Sequence, residues 1–336
     1  MHEQDRAASP AALSSPYGDL AFLLDLDPPA SDFRHDVHEG LAATPKRLSP
    51  MYLYDERGSL FFQKITTLET YYPTRTERSL FEDNARAIGE AIGPGRAVFE
   101  YGAGSPEKIE LLLSLMQDPR GYVGMDISRE FLIEGMQAFA ARTGLPVGAV
   151  CADFNDIATL PKDLIDPEAA WLGFFPGSTI GNISTDAAGA LLRNAAATLG
   201  RGAAFLLGVD LEKDPDVLRL AYDEPAGVTA EFILNILPRI RDELGASLDI
   251  GAFKYEIDIR DNPQRIEMYV TAVDATEIRL DGRAYGFDAG ERMQISRSQK
   301  YSLEGLDSLL DSTPWRRERT WIDEACPYAL CLLGNG

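Results

Sequence analysis

The stretch Val98-Phe99-Glu100-Tyr101-Gly102-Ala103-Gly104-Ser105-Pro106-Glu107-Lys108 decides how the rest of the chain is read. An apolar run enters a glycine turn, and a helical pattern (Glu107 to Met116) leaves it. Only glycine lets a backbone approach a ligand closely at such a strand-to-helix turn. Downstream the order repeats: a strand in Tyr-Val-Gly-Met-Asp-Ile-Ser ending near Asp126, a helix from Glu130 to Thr143, strands at 147–152 and 169–175, a helix from Asp186 to Leu199, and a strand at 203–210. Strands alternating with helical runs predict an α/β fold with a parallel, doubly wound sheet.

Upstream, Thr76 to Ile92 reads as one amphipathic helix closed by Gly93-Pro94-Gly95. Residues 52–69 read as a turn at Arg57-Gly58 followed by a short helix, and Asp25 to Leu48 is helical in pattern. Residues 1–18, rich in Ala, Ser and Pro, are expected to form a loose arm. After Asp210 the rhythm changes. One long helix is expected from Thr229 to Leu244. Two alternating segments, 253–260 and 265–273, then meet at Asp261-Asn262-Pro263 as an antiparallel pair. The chain ends in another strand pair. The block after Asp210 therefore reads as an insertion and not as a continuation of the parallel sheet.

Charge narrows the function. Among 336 residues, 32 basic against 53 acidic give a net charge of −21. That surface would repel a phosphate backbone and an anionic membrane, so neither nucleic acid nor membrane is an expected partner. A small molecule is expected instead. The three cysteines have no metal-ligand spacing, and no metal site is expected. The odd count points to a reducing compartment, the cytoplasm. The three histidines, His2, His35 and His38, all precede residue 40. A Ser-His-Asp triad or a His-Glu-x-x-His zinc site elsewhere in the chain is thus excluded. No long apolar run or secretory leader is visible.

The loop chemistry selects a cofactor. Dinucleotide enzymes use G-x-G-x-x-G with a pyrophosphate on the helix N-terminus. Here the third glycine position holds Glu107, which would repel a pyrophosphate. Glu100-x-Gly102-x-Gly104 suits S-adenosylmethionine, whose sulfonium is positive and which carries no phosphate. Asp126 ends the next strand, placed for ribose hydroxyls. Asp153-Phe154 ends the third, suited to an adenine amine and ring face. Ligands bind at such carboxyl ends. The competing account is a plain tight turn with acids that cap helices.

A second constellation, Phe175-Pro176-Gly177-Ser178-Thr179-Ile180-Gly181-Asn182, follows the fourth strand. Its small residues permit close approach, and Asn182 offers a donor and an acceptor; helix-capping chemistry would explain it equally well. Phenols flank it in Tyr71-Tyr72-Pro73-Thr74-Arg75 and Ala221-Tyr222-Asp223.

The strings YDERGSLFFQKITTLETYYPTR, EYGAGSPEK, GSTIGN, AYDEPAGVTAEFILN and QRIEMY resemble those of the ergothioneine-pathway histidine Nα-methyltransferases and the wider amino-acid Nα-methyltransferases. The likeness runs from about Pro45 to Leu333. It implies a Rossmann-like class I methyltransferase sheet (75–212 plus 300–336) with a smaller α+β substrate domain from the N-terminal segment and the insertion (19–74 plus 213–299). It implies Nα-methylation of a free amino acid, histidine by default and up to the betaine; a monomer is expected, with an oligomer left open. Carried over by position, Gly102, Lys108, Asp126 and Asp153-Phe154 would contact the cofactor, with Glu100, Gly104 and Gly177 beside them. Asn182 and Tyr222 would hold the substrate carboxylate. Tyr54 would sit near the amine and Tyr71 near the side chain, with Tyr72 the alternative if the register slips by one. Met268 would line the side-chain pocket.

One position departs from the family. A glutamate is expected two residues before a serine that precedes a lysine and an aromatic. The segment reads Ile295-Ser296-Arg297-Ser298-Gln299-Lys300-Tyr301, so Ser298 fits and Ser296 replaces the acid. A carboxylate facing an imidazole N–H is worth about 1.5–3 kcal/mol, and serine keeps at most a neutral bond. Three outcomes stay open: a wider pocket for another aromatic or modified amino acid, a contact restored by Glu291, or a water held by Ser296 and Ser298. A non-catalytic binding module keeping the same fold is the reading from another class.

Overall fold

The computed structural model describes residues 18–26, 32–104, 106–152, 165–166 and 168–336. Its strands are β1 (Phe22–Asp25), β2 (Lys46–Arg47), β3 (Arg96–Tyr101), β4 (Gly121–Asp126), β5 (Val147–Cys151), β6 (Ala170–Phe175), β7 (Ala204–Asp210), β8 (Phe253–Asp261), β9 (Gln264–Ala272), β10 (Thr276–Leu280), β11 (Arg283–Phe287), β12 (Arg292–Gln299), β13 (Trp315–Asp323) and β14 (Tyr328–Asn335). Eight of them form one sheet in the order β1-β5-β4-β3-β6-β7-β14-β13. From β1 to β7 every pairing is parallel; β14 then runs antiparallel to β7, and β13 to β14. The fold is thus α/β with a mostly parallel central sheet.

Strand burial explains the pattern. β3, β5 and β7 are buried along almost their whole length, as strands covered on both faces must be. Phe99, Val123, Phe205 and Leu207 pack under the helices Thr185–Leu199 and Leu303–Leu310 on one face. Val98, Phe174, Leu206 and Leu330 pack on the other, with the helices Ala85–Ile92 and Arg129–Thr143.

A separate four-stranded sheet, β2-β12-β9-β8, and the hairpin β10-β11 carry the block after Asp210. The expected antiparallel pair is β8 with β9, which Asp261 and Gln264 close. A third cluster (Phe61, Ile65, Leu218, Phe232, Ile266, Val270 among its members) packs these strands against helices from residues 33–67 and 215–244. Phe22–Asp25 departs from the expected grouping: it pairs in parallel with β5, on the edge of the large sheet.

Three local expectations are corrected. Arg57-Gly58 is no turn but the first turn of a helix, Glu56–Thr67, whose N-cap Asp55 accepts from the Gly58 N–H at 2.8 Å. A Cβ on Gly58 would lie 1.6 Å from the Leu53 carbonyl, so glycine is there for close approach. The helix expected over 76–92 is two, Tyr72–Asp83 and Ala85–Ile92, broken at Asn84, whose side-chain amide donates to the Leu80 carbonyl at 3.0 Å. The helix expected over 229–244 is also two, Val228–Leu234 and Ile236–Leu244. Pro238 has no N–H to give the Leu234 carbonyl, and Asn235 at the junction donates to Asp55 at 2.7 Å.

Candidate active site

The chain leaves β3 in both directions: to β4 and β5 on one side, to β6 and β7 on the other. Ligands of doubly wound sheets bind at this switch, outside the carboxyl ends of the strands. The two loops singled out in the sequence both emerge here. After β3, Gly102 has φ +77°, a left-handed value that costs other residues about 1 kcal/mol or more. Its N–H and that of Ala103 both donate to the Met125 carbonyl at 2.9 Å, tying the loop to β4. β4 ends in half-buried Asp126, one oxygen of which accepts from the Ser128 N–H at 2.8 Å.

Acids gather behind this loop. Glu100 is 1% exposed and accepts from the Tyr122 hydroxyl at 2.6 Å. Burial pushes its carboxyl up to about 8, against the opposing pull of that bond and of Lys108. Glu77, equally buried, accepts from the Gly177 N–H and the Tyr328 hydroxyl, both at 2.7 Å. Its other oxygen meets Lys108 Nζ at 2.6 Å. Lys108 and Gly177, both expected at the cofactor, are thus joined through a carboxylate that sequence reading missed. Lys108 is neutralised by Glu77, so the loop offers no surplus positive charge to a pyrophosphate, while the acid at the end of β4, Asp126, suits a cationic ligand. These residues fit S-adenosylmethionine. Asp153 and Phe154, the other cofactor candidates, lie outside the described residues.

The amino-acid candidates gather at the tip of β7. Asp210 there is fully buried. One of its oxygens accepts from Lys213; the other accepts from Lys300 at 2.6 Å and from the Tyr72 hydroxyl at 2.7 Å. Lys300 Nζ also donates to the Tyr222 hydroxyl at 2.9 Å and to Ser298 Oγ at 2.8 Å. Tyr222 and Ser298 are 3.0 Å apart, and Tyr255 fixes the Tyr222 carbonyl at 2.6 Å. The Tyr71 ring meets that of Tyr222 edge-on, with centroids 5.9 Å apart. Burial, then the neighbouring Tyr222, Tyr54 and Asp210, push the Tyr71 phenol well up. Tyr54 is 46% exposed, edge-packed on Phe62 and Phe232, and its phenol is pushed up to about 12 by the surrounding protein. Surrounded yet open, it has the setting of a cleft wall.

The adjacent phenols therefore divide. Tyr71 is half-buried beside Tyr222. Tyr72 is 4% exposed, bonded to Asp210 and covered by Lys213 Nζ, 4.4 Å from its ring centroid. Ser296 stands opposite Met268, and Ser298 opposite Ile266, in the β12–β9 ladder. Asn182 closes the 3₁₀ turn Thr179–Asn182, which packs on β12, and lines an open cleft of about 430 Å³ with Ser296, Gln299 and Leu48. The turn that ends in Asn182 packs on β12, and Tyr222 meets the same strand at Ser298. Glu291, which was to restore a lost acid, is bonded to Lys46 and to the Asp288 N–H at the far end of β12. Asp210 and Lys213 carry a signal visible in the sequence, an acid at the end of the strand 203–210 with a lysine three residues on. Glu77 carries none, since its partners come from three distant segments.

A mostly parallel sheet with acidic loops at its switch point and a phenol cluster beside them defines a Rossmann-like methyltransferase of class I. The chain belongs to the family described as histidine-specific, S-adenosylmethionine-dependent methyltransferases, which matches it over residues 33–335. It is 36% identical over 320 residues to the histidine N-alpha-methyltransferase of Mycolicibacterium smegmatis, covering 93% of this chain and 98% of that protein. Its likeness to the enzyme of the same name in Mycobacterium tuberculosis is 35% over 309 residues, covering 90% and 94%. An L-tryptophan methyltransferase of Psilocybe serbica is 26% identical, covering 89% and 92%. Like its family, the protein uses S-adenosylmethionine as methyl donor. Among the described residues, no helix is long and apolar enough to cross a membrane.

Proposed function

We propose that this enzyme methylates the α-amino nitrogen of free L-histidine, stepwise to the betaine, as a cytoplasmic monomer. The large sheet would carry the cofactor, and β12, β9 and their helices the amino acid. The observation that carries this reading is the Tyr222 hydroxyl, buried at the tip of β7 beside Ser298 and Tyr71.

Gly102, Gly104, Lys108 and Asp126 would hold S-adenosylmethionine, with Glu100 and Gly177 behind them. The cofactor supplies an electrophilic methyl on a sulfonium. Tyr222 and Asn182 would grip the substrate carboxylate and aim the amine at that methyl; such positioning is the main demand of a transfer that moves charge without creating it. The α-ammonium must first release a proton. His38 is engaged with Tyr285 and Asp281. Tyr54, its phenol raised to about 12, stays protonated at neutral pH. Water therefore takes the proton, and Tyr54 offers its oxygen to the amine. The faces of Tyr54 and Tyr71 would stabilise the quaternary product.

Incubation with S-adenosylmethionine and each standard amino acid, read by mass in steps of one methyl, tests this. Histidine should gain three methyls. A second reading rests on Ser296: it is small and neutral opposite Met268, and Glu291 is committed elsewhere. A wider pocket would favour a larger aromatic amino acid, and a tryptophan or tyrosine product exceeding the histidine product would select it. No product with any amino acid would defeat both.

A further inference from the structure

The cluster at the tip of β7 holds one carboxylate, Asp210, and two ammonium groups, Lys213 and Lys300, with side-chain exposures of 1%, 2% and 0%. Buried charge is retained where it is paired, and with two lysines on one carboxylate a further anion would complete the pairing. Burial pulls both lysines down while Asp210 opposes it.

Proton counting describes the hydroxyls beside Lys300. Lys300 has three N–H donors, and Asp210, Tyr222 and Ser298 use all three. Tyr222 and Ser298 each therefore accept from Lys300, and each keeps one hydroxyl proton. A single bond joins them at 3.0 Å and consumes one of those protons. The Tyr71 hydroxyl is hydrogen-bonded to Tyr222 as well. A hydroxyl that accepts from an ammonium is the stronger donor for it. Tyr222 and Ser298 are thus polarised hydroxyls beside two lysines that share one carboxylate, a setting that suits a substrate carboxylate.

We propose that Lys300, anchored by Asp210, is a positioning residue for amino-acid recognition: it orders Tyr222 and Ser298 as donors and supplies the charge by which the site selects a free carboxylate. This rests on the reading of Tyr222 as the carboxylate grip and deepens it, because the two neutral groups Asn182 and Tyr222 cannot distinguish an acid from its amide by charge. Lys213 does not share the role, since it bonds Asp210 and the Leu211 carbonyl and covers Tyr72.

The test uses calorimetric affinities for L-histidine and L-histidinamide in the presence of S-adenosylhomocysteine. Lys300→Met keeps the length of the side chain and removes the charge. The double variant Asp210→Asn/Lys300→Met removes both charges and spares the fold a buried unpaired carboxylate. The wild type should prefer the acid over the amide by at least about tenfold, the scale of one charge-assisted hydrogen bond. The folded single and double variants should lose most of that preference, with S-adenosylhomocysteine affinity within about twofold of wild type. A variant that melts cooperatively yet keeps the wild-type preference overturns the role of Lys300 while leaving the carboxylate grip in place. A wild type that binds acid and amide alike overturns the grip itself, and the proposal with it. Should the single variant fail to fold, the double variant decides alone; failure of both while Lys300→Gln folds with unchanged preference makes Lys300 a structural counter-ion only, and failure of all three does the same.

Discussion

Tyr71 and Tyr72 are chemically identical neighbours with different tasks, and the backbone separates them. Tyr72 opens the helix Tyr72–Asp83 and drives its ring inward to Asp210; Tyr71, one residue earlier, stays half-open against Tyr222. Tyr72→Phe removes a hydroxyl donor from a buried carboxylate, which should cost about 1–3 kcal/mol of stability; an unchanged denaturant midpoint would contradict that account. Asn182→Ala should lower turnover by more than about tenfold, one lost hydrogen bond, with cofactor affinity kept. Asp126→Ala should do the reverse, and calorimetric titration with S-adenosylmethionine separates the two. Wild-type turnover in the first, or wild-type affinity in the second, removes that residue from its assigned role.

At the scale of elements, the turn Thr179–Asn182 and β12 act as a pair. A Cβ on Gly181 would lie 2.5 Å from the Gln299 carbonyl, a backbone atom that cannot swing away. Gly181→Ala should therefore push the turn off β12 and carry Asn182 with it. A displacement of about 1 Å can cost a hundredfold in rate, so kcat/KM should fall by at least about tenfold while cofactor affinity, which the proposal assigns to the loops after β3 and β4, stays as before. Steady-state kinetics beside a cofactor titration checks this, and unaltered kinetics would show the close approach to be inconsequential. The turn and β12 are far apart in the sequence, and no periodicity in either stretch announces that they meet.

For the whole molecule, the buried Glu100 links stability to pH. Its carboxyl is raised from 4.5 to about 8 by burial. Between those values the folded state holds a proton that the unfolded state has released, so unfolding gains as pH rises. The stability Glu100 contributes by staying protonated is complete below about 4.5 and is lost as pH climbs through 8. Glu100→Gln keeps the shape and cannot ionise. Its melting temperature, measured from about pH 5 to pH 8, should decline less steeply than that of the wild type, the gap widening toward the alkaline end; parallel curves would mean that Glu100 does not titrate in this range.

The alternation of apolar runs and helical periods by itself determined the parallel sheet, because burial on both faces forces continuous apolar strands and crossover connections. It likewise located Gly102 and Asp126 at strand ends, since a tight turn after one strand and a polar end to the next need particular residue types at particular places. It misplaced Gly58 and ran helices through Asn84 and Asn235, where side-chain bonds and a close carbonyl, all invisible to periodicity, override local preference. Only the tertiary structure decided which of two tyrosines stands beside Tyr222, that Phe22–Asp25 joins the large sheet, and that Glu77 is buried with Lys108, and Asp210 with Lys300, as paired groups. Those outcomes depend on partners brought from distant segments, and the energy of a buried charge is set by what surrounds it in space, not by what precedes it in the chain.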